Sequence, residues 1–432
     1  MTVGEKKSIG LWSAVSIGVG GMVGAGIFSI LGTACQIGGN AVYLSFVIAG
    51  IVALFSTYSY AKLGAKYPSA GGPVEFLVRS FGSGILSGGF NILLWIGYIL
   101  ALSLYARAFA AYALTFFPDA PSMLLNIFVT GIILLFVFVN FIGSKAVGRS
   151  ELFIVTIKVG ILVLFAIAGF FFIKPELLSP SRFPPVNNIL FAAAIVFLAY
   201  EGFGLITNAA EDMKDPAKTL PRALYLSVFI VIMIYVGVSL AVIGNLPLSE
   251  IVGAKDYALA EAAKPFLGSI GFTIIAIAAL FSTASAINAT LYGGANVSYI
   301  IAKEGELPKY FEKKVWGRGI EGLFITAGLV IVFANLFDLS KIAMVGSASF
   351  LLVYAAVNIG HLRLRKETHG NLILIWLAII GNLVSFSILV RYLLSHSLLT
   401  LVFLMIILFF SFTGEWLYRK CTKREIKVRK NV

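Results

Sequence analysis

The sequence predicts an all-α integral membrane protein of about twelve transmembrane helices, on three observations. Apolar residues fill 59% of the 432 positions and charged residues only 12%, about half of the roughly 25% usual in a soluble domain. The apolar residues gather in runs of about 20, the length that crosses a bilayer, so twelve spans occupy about 240 positions. The charge lies almost wholly between those runs, with 33 Lys and Arg against 20 Asp and Glu, a net +13.

The first run, from about Gly10 to Ala34, follows Lys6 and Lys7 and carries Trp12 where an interfacial anchor belongs. It is too long for a signal-peptide core and has no A-x-A cleavage site, which predicts a retained first span. Further runs centre near Ile51, Trp95, Leu134, Leu162, Val196, Val231, Ile277, Val330, Leu352, Ile379 and Met405. The connections are mostly short and carry Pro, Gly or charge, which leaves no room for a separate soluble domain. One transmembrane domain over 1–418 and a basic tail over 419–432 are therefore expected.

A basic chain can signal nucleic-acid binding, but here the position of the cations decides. If the amino terminus is cytoplasmic, 25 of the 33 fall on that face, including seven in the tail from Arg419 to Lys430, and seven lie toward the other face. Lys158 alone is left over. The positive-inside rule then places both termini in the cytoplasm of a cell that carries the protein in its plasma membrane. No nucleic acid is required, and the tail with Lys423 and Arg424 also suits anionic lipid. Two cysteines, Cys35 and Cys421, exclude a disulfide framework or a multi-cysteine metal site. There is no HExxH string and no phosphate-binding loop, so no metal, cofactor, ATP or enzymatic activity is expected.

Two spans carry glycine where a helix is weakened by about 1 kcal/mol per residue. The first reads Gly18-Val-Gly20-Gly21-Met22-Val23-Gly24-Ala25-Gly26, and the sixth reads Phe197-Leu198-Ala199-Tyr200-Glu201-Gly202-Phe203-Gly204. The first run alone fits an unwound segment as well as a face for close helix packing. If the first ten spans form two five-helix repeats, however, spans one and six correspond, and paired interrupted helices mark a transporter's binding site. Half-helix amino termini offer amides to an anion and half-helix carboxyl termini offer carbonyls to a cation. Such a site suits a small zwitterion.

The string Val23-Gly24-Ala25-Gly26-Ile27-Phe28 resembles the first-span motif of the amino acid, polyamine and organocation (APC) superfamily. Tyr60-Ala-Lys62-Leu63 with Pro68-Ser-Ala-Gly71-Gly72-Pro73 is similar to its loop between spans two and three. Glu211-Asp-Met-Lys-Asp215-Pro216 with Leu220-Pro221-Arg222 resembles its loop after span six, and Lys303-Glu-Gly305-Glu-Leu307-Pro308 its loop after span eight. The chain looks most like archaeal proton-coupled amino acid transporters of broad specificity. The resemblance implies a leucine-transporter-type inverted repeat, with repeat one at about 10–175, repeat two at about 188–361 and extra helices at about 371–418. It also implies alternating access.

Carried onto this sequence, the resemblance places the substrate carboxylate at the amides around Gly24, Ala25 and Gly26. The amine falls at carbonyls near Met22, with Gly20 and Gly21 in the same stretch, and near Leu198, Ala199 and Glu201. Tyr200 and Phe203 become walls or gates. Glu201 departs from the family pattern, which has an apolar residue there in many members; pairing with a cationic substrate, a second proton site and a helix-end cap all remain open for it.

Lys158 stands in Phe153-Ile-Val-Thr-Ile-Lys158-Val-Gly160, where a central lysine costs roughly 2.5 to 3.5 kcal/mol. Desolvation penalises its ammonium, which suits a group that gains and loses a proton. Protonated, it would bridge carbonyls near Gly20 to the span-eight hydroxyls Ser282, Thr283 and Ser285. The resemblance implies the same, with the amine in the place that sodium fills in sodium-coupled relatives. The expected function is proton-coupled symport of amino acids, mainly neutral. A sodium-coupled symporter or an amino acid or polyamine exchanger is the alternative, with a channel or receptor further off.

Overall fold

The computed structural model describes residues 9–24, 26–142, 147–304 and 320–422. Ala25, residues 305–308 of the last loop motif and the tail beyond Thr422 lie outside the described residues. The first half of the chain forms helices α1 (Leu11–Val23), α2 (Gly26–Gly38), α3 (Val42–Lys66), α4 (Pro73–Phe81), α5 (Ile85–Leu114), α6 (Met123–Ile142) and α7 (Val147–Phe170). Then come α8 (Val186–Val196), a 3-10 segment over Phe197–Gly204, α9 (Leu205–Asn208) and α10 (Pro216–Asn245). The rest comprises α11 (Leu248–Gly253), α12 (Ala258–Glu261), α13 (Lys264–Glu304), α14 (Ile320–Leu336), α15 (Leu339–Arg363), α16 (Arg365–Thr368), α17 (Leu372–His396) and α18 (Leu398–Thr422). No strand occurs among the described residues.

Ten stretches are long and apolar enough to cross a membrane. The first, Leu11–Lys66, holds two crossings, and the 17-residue α14 adds another, giving the twelve that the hydropathy pattern predicts. At 1.5 Å per residue the 13-residue α1 and α2 each reach only about 20 Å into a hydrocarbon core of about 30 Å. They cross together as one interrupted helix. The 11-residue α8 likewise needs the 3-10 segment and α9 to complete its crossing.

Burial sorts the helices. The windows over α15 and over α8 with its continuation are 89% buried, whereas those over α6, α7, α17 and α18 are 28% buried and present apolar side chains outward. At the centre, α5 packs against α13, α15, α14, α6 and α18, and α10 packs against α3, α1 and α7. The last two crossings are bonded into the bundle. Asn382 on α17 donates to Ser56 Oγ on α3 at 2.7 Å, and Ser56 also accepts from Asn358 on α15 at 3.3 Å. Arg419 on α18 donates to the Ser83 carbonyl at 2.7 Å. Asn140 on α6 is buried and donates to Asn288 Oδ1 on α13 at 2.8 Å.

Glycine explains how the two interrupted crossings meet. In lipid, helices associate through close packing rather than a hydrophobic drive. A Cβ on Gly202 would stand 2.5 Å from the backbone of both Gly21 and Met22, and one on Gly21 would stand 3.3 Å from the Gly202 carbonyl. The two backbones therefore touch directly. The glycine run of the first span divides accordingly: Gly18, Gly20 and Gly21 lie within α1, where Gly18 packs on Ile206 and Ser227, and the break falls after Val23.

Gly202→Ala forces backbone apart rather than a flexible side chain, a cost of about 1–3 kcal/mol for overpacking. A clear drop in thermal midpoint in detergent is expected, whereas Gly131→Ala, whose Cβ meets nothing within 4 Å, leaves the midpoint unchanged or raises it.

Candidate functional site

A helix leaves its last four carbonyls without intrahelical donors. The Gly24 amide closes the last described turn of α1 on Gly20 O, so the unserved carbonyls start at Gly21, and the carbonyls from Gly20 to Val23 lie at mid-membrane where water does not serve them. Side chains from three other helices reach three of the four. Lys158 Nζ on α7 donates to Gly20 O at 2.9 Å, the Tyr235 hydroxyl on α10 donates to Met22 O at 2.6 Å, and the Ser282 hydroxyl on α13 donates to Val23 O at 3.2 Å. Gly20 O also accepts the Gly24 amide at 3.0 Å. A cation at this position is favoured by the negative end of the α1 dipole. Lys158 is only 2% exposed, so its contact is made away from solvent.

The 3-10 segment supplies the facing wall. Eight residues is long for this geometry, which rarely persists beyond three or four. Its carbonyls are met by phenols. The Tyr235 hydroxyl lies 3.1 Å from Ala199 O, and the Tyr354 hydroxyl on α15 donates to Glu201 O at 2.6 Å. Glu201 itself is 2% exposed. Its Oε1 accepts from the Tyr105 hydroxyl on α5 at 3.0 Å, and its Oε2 has no partner among the described residues.

The remaining sequence-predicted residues separate by direction. Gly26 opens α2, and a methyl there would collide with the Tyr235 hydroxyl and stand 2.7 Å from Ala199 Cβ. Leu198 packs on Gly346 of α15. Tyr200 turns to α3 and donates to Phe46 O at 2.9 Å, and Phe203 stacks on Tyr354 with centroids 5.1 Å apart. Of the three hydroxyls expected beside Lys158, Ser282 reaches the α1 terminus, while Thr283 donates to Ala279 O of its own helix at 2.7 Å. Ser285 is half-buried and makes no hydrogen bond among the described residues. Ala25 lies outside them.

The sequence reading passed over Tyr235, Tyr354 and Tyr105. The signal was present: tyrosine usually sits at the membrane interface, and a tyrosine deep in an apolar run needs a partner for its hydroxyl.

A concave feature lies away from the α1 break, and none of the site residues named above lines it. It is a cleft of about 410 Å³ lined by Thr33, Asn188, Lys255, Asp338, Lys341 and His396 among others. Two of its lining residues, Thr33 and Ser340, meet through their hydroxyls at 3.0 Å, and the 255–257 turn that contributes Lys255 lies directly on Gly32. Burial pushes the Asp256 carboxyl up, partly offset by Lys255 and Arg107.

Tyr105→Phe leaves both Glu201 carboxyl oxygens without a donor among the described residues, and an orphaned buried group costs about 1–3 kcal/mol. A lower thermal midpoint is expected for Tyr105→Phe alone. The double variant Tyr105→Phe/Glu201→Leu, which removes both polar partners, recovers part of the loss.

The comparisons with known proteins bear on the family. The family model for amino acid permeases matches residues 9–414. The chain is 45% identical to an uncharacterized protein of Methanocaldococcus jannaschii, with 97% of each chain covered, and 38% identical to the inner membrane transport protein YbaT of Escherichia coli, with 90% of each covered. It is 26% identical to the branched-chain amino acid permease BcaP of Bacillus subtilis, with 82% of each covered. Two interrupted crossings in backbone contact, inside an all-α membrane bundle that this family model matches almost end to end, identify the chain as an amino acid transporter, not an enzyme, and a member of the amino acid permease family of the APC superfamily.

Proposed function

We propose that the protein is a secondary active transporter that imports amino acids together with protons, taking mainly neutral substrates over a broad range. The observation that carries this reading is the Lys158 ammonium on the Gly20 carbonyl at 2.9 Å, at the terminus of interrupted α1. An ammonium there neutralises the helix end and competes electrostatically with sodium. Loss of its proton removes the charge and weakens the tie between α7 and α1. Proton binding is thereby coupled to the position of the helix that holds substrate. Ser282 on Val23 O supports the same helix end from α13, with Thr283 and Ser285 one turn or less away.

Substrate binding is assigned to the same break. The amides that open α2 from Gly26, with Ala25 the expected neighbour, take the carboxylate; the Gly24 amide, named with them from the sequence, is already given to Gly20 O at 3.0 Å. The carbonyls of Met22, Ala199 and Glu201, with Leu198 and the Gly20–Gly21 backbone around them, take the ammonium. Phe203 and Tyr200 close the wall. Relatives named for branched-chain and for cationic amino acids support a site that reads the backbone zwitterion and tolerates different side chains. Two five-helix repeats at about 10–175 and 188–361, with 371–418 added, complete the reading. So do a plasma-membrane location with cytoplasmic termini and lipid contacts of the basic tail.

In proteoliposomes with an alkaline interior, radiolabelled alanine and leucine are expected to accumulate equally with and without sodium. Lys158→Ala is expected to abolish pH-driven accumulation. Full accumulation by that variant, or a requirement for sodium, would contradict the reading.

A further inference from the structure

We propose that the Tyr235 hydroxyl is a built-in competitor for the substrate's amino group, occupying the point between the two interrupted crossings from which one donor reaches both. The proposal rests on the assignment of the ammonium subsite above and names a residue that sets its affinity. Three observations carry it.

The hydroxyl lies 2.6 Å from Met22 O at the end of α1 and 3.1 Å from Ala199 O in the 3-10 segment. A phenol has one proton, so it cannot donate to both carbonyls at once, whereas an ammonium has three. Replacing the phenol with an ammonium therefore improves the pairing of these two acceptors. Next, the hydroxyl also sits over Gly26, where a methyl would collide with it. It thus stands at the opening of α2 as well as at the close of α1, in the middle of the proposed zwitterion site.

The third observation concerns how the ring is held. Tyr235 is fully buried, and its ring makes edge contacts with Phe46 on α3 and Tyr200 in the 3-10 segment, at 5.4 and 5.2 Å between centroids. Those contacts do not depend on the hydroxyl. The phenol is carried by α10, which packs along both α1 and the 3-10 segment, so a shift of α10 relative to that pair withdraws the oxygen from both carbonyls together.

Tyr235→Phe keeps the ring and removes the competitor. With one neutral hydrogen bond no longer to be displaced, the dissociation constant for alanine or leucine, measured on purified protein by equilibrium binding, is expected to fall roughly two- to tenfold. N-acetylalanine, which lacks the ammonium, gains nothing. An unchanged or higher dissociation constant for alanine in Tyr235→Phe, with binding by the unaltered protein intact, overturns the proposal and leaves the transport reading standing. Failure of the unaltered protein to bind any amino acid defeats that reading and the proposal with it. If the variant does not fold, 3-fluorotyrosine at position 235 gives a second measurement: saturating alanine must shift its fluorine resonance, and no shift overturns the proposal.

Discussion

The structure depends on how the carbonyls at the broken end of α1 are satisfied. A helix that stops in mid-membrane exposes polar backbone where each unsatisfied group costs several kcal/mol. Here Lys158, Tyr235 and Ser282 converge on Gly20, Met22 and Val23 from α7, α10 and α13. The break is consequently not a local defect but a junction that fixes three other crossings around it. Any movement of α1 must exchange these partners for others, so a ligand shifts the bundle only by pairing these groups better in one arrangement than in another.

The second crossing obeys the same constraint. Gly202 lets its backbone lie on that of α1, the phenol of Tyr354 serves the carbonyl of Glu201, and that of Tyr235 lies within reach of Ala199 O. A ring of buried aromatic side chains, in which Tyr60, Phe197 and Phe203 all contact Tyr354, packs this side. Glu201 stands apart, with one oxygen held by Tyr105 and the other unpartnered among the described residues. A buried network with one unmet acceptor is the place where a donor from outside gains most.

Much of this was legible in the sequence because it follows from local rules. Span length and charge exclusion gave the crossings. Glycine clusters marked the break after Val23 in the first span and, in the sixth, a passage that stays helical but tightens to 3-10 geometry rather than unwinding, and a lone lysine in an apolar run marked Lys158. The break's position within the run was less legible: the same glycines serve helix packing at Gly18 and Gly21 and close approach at Gly26, and spacing cannot separate these uses. A tyrosine deep in an apolar run signals a partnered hydroxyl, but which carbonyl each phenol serves was not legible, because Tyr105, Tyr235 and Tyr354 come from three distant helices. Thr283 shows the converse. Its place on α13 suggested a bond to Lys158, but a hydroxyl in a helix has a nearer acceptor in its own preceding turn, here Ala279.

The central claim is that the charge on Lys158 is exchanged during each transport cycle. The most direct test follows the lumen pH of proteoliposomes with an enclosed indicator while alanine is added outside, in sodium-free medium. The account predicts acidification of the lumen that tracks alanine entry. Alanine entry at an undiminished rate with no acidification would contradict it.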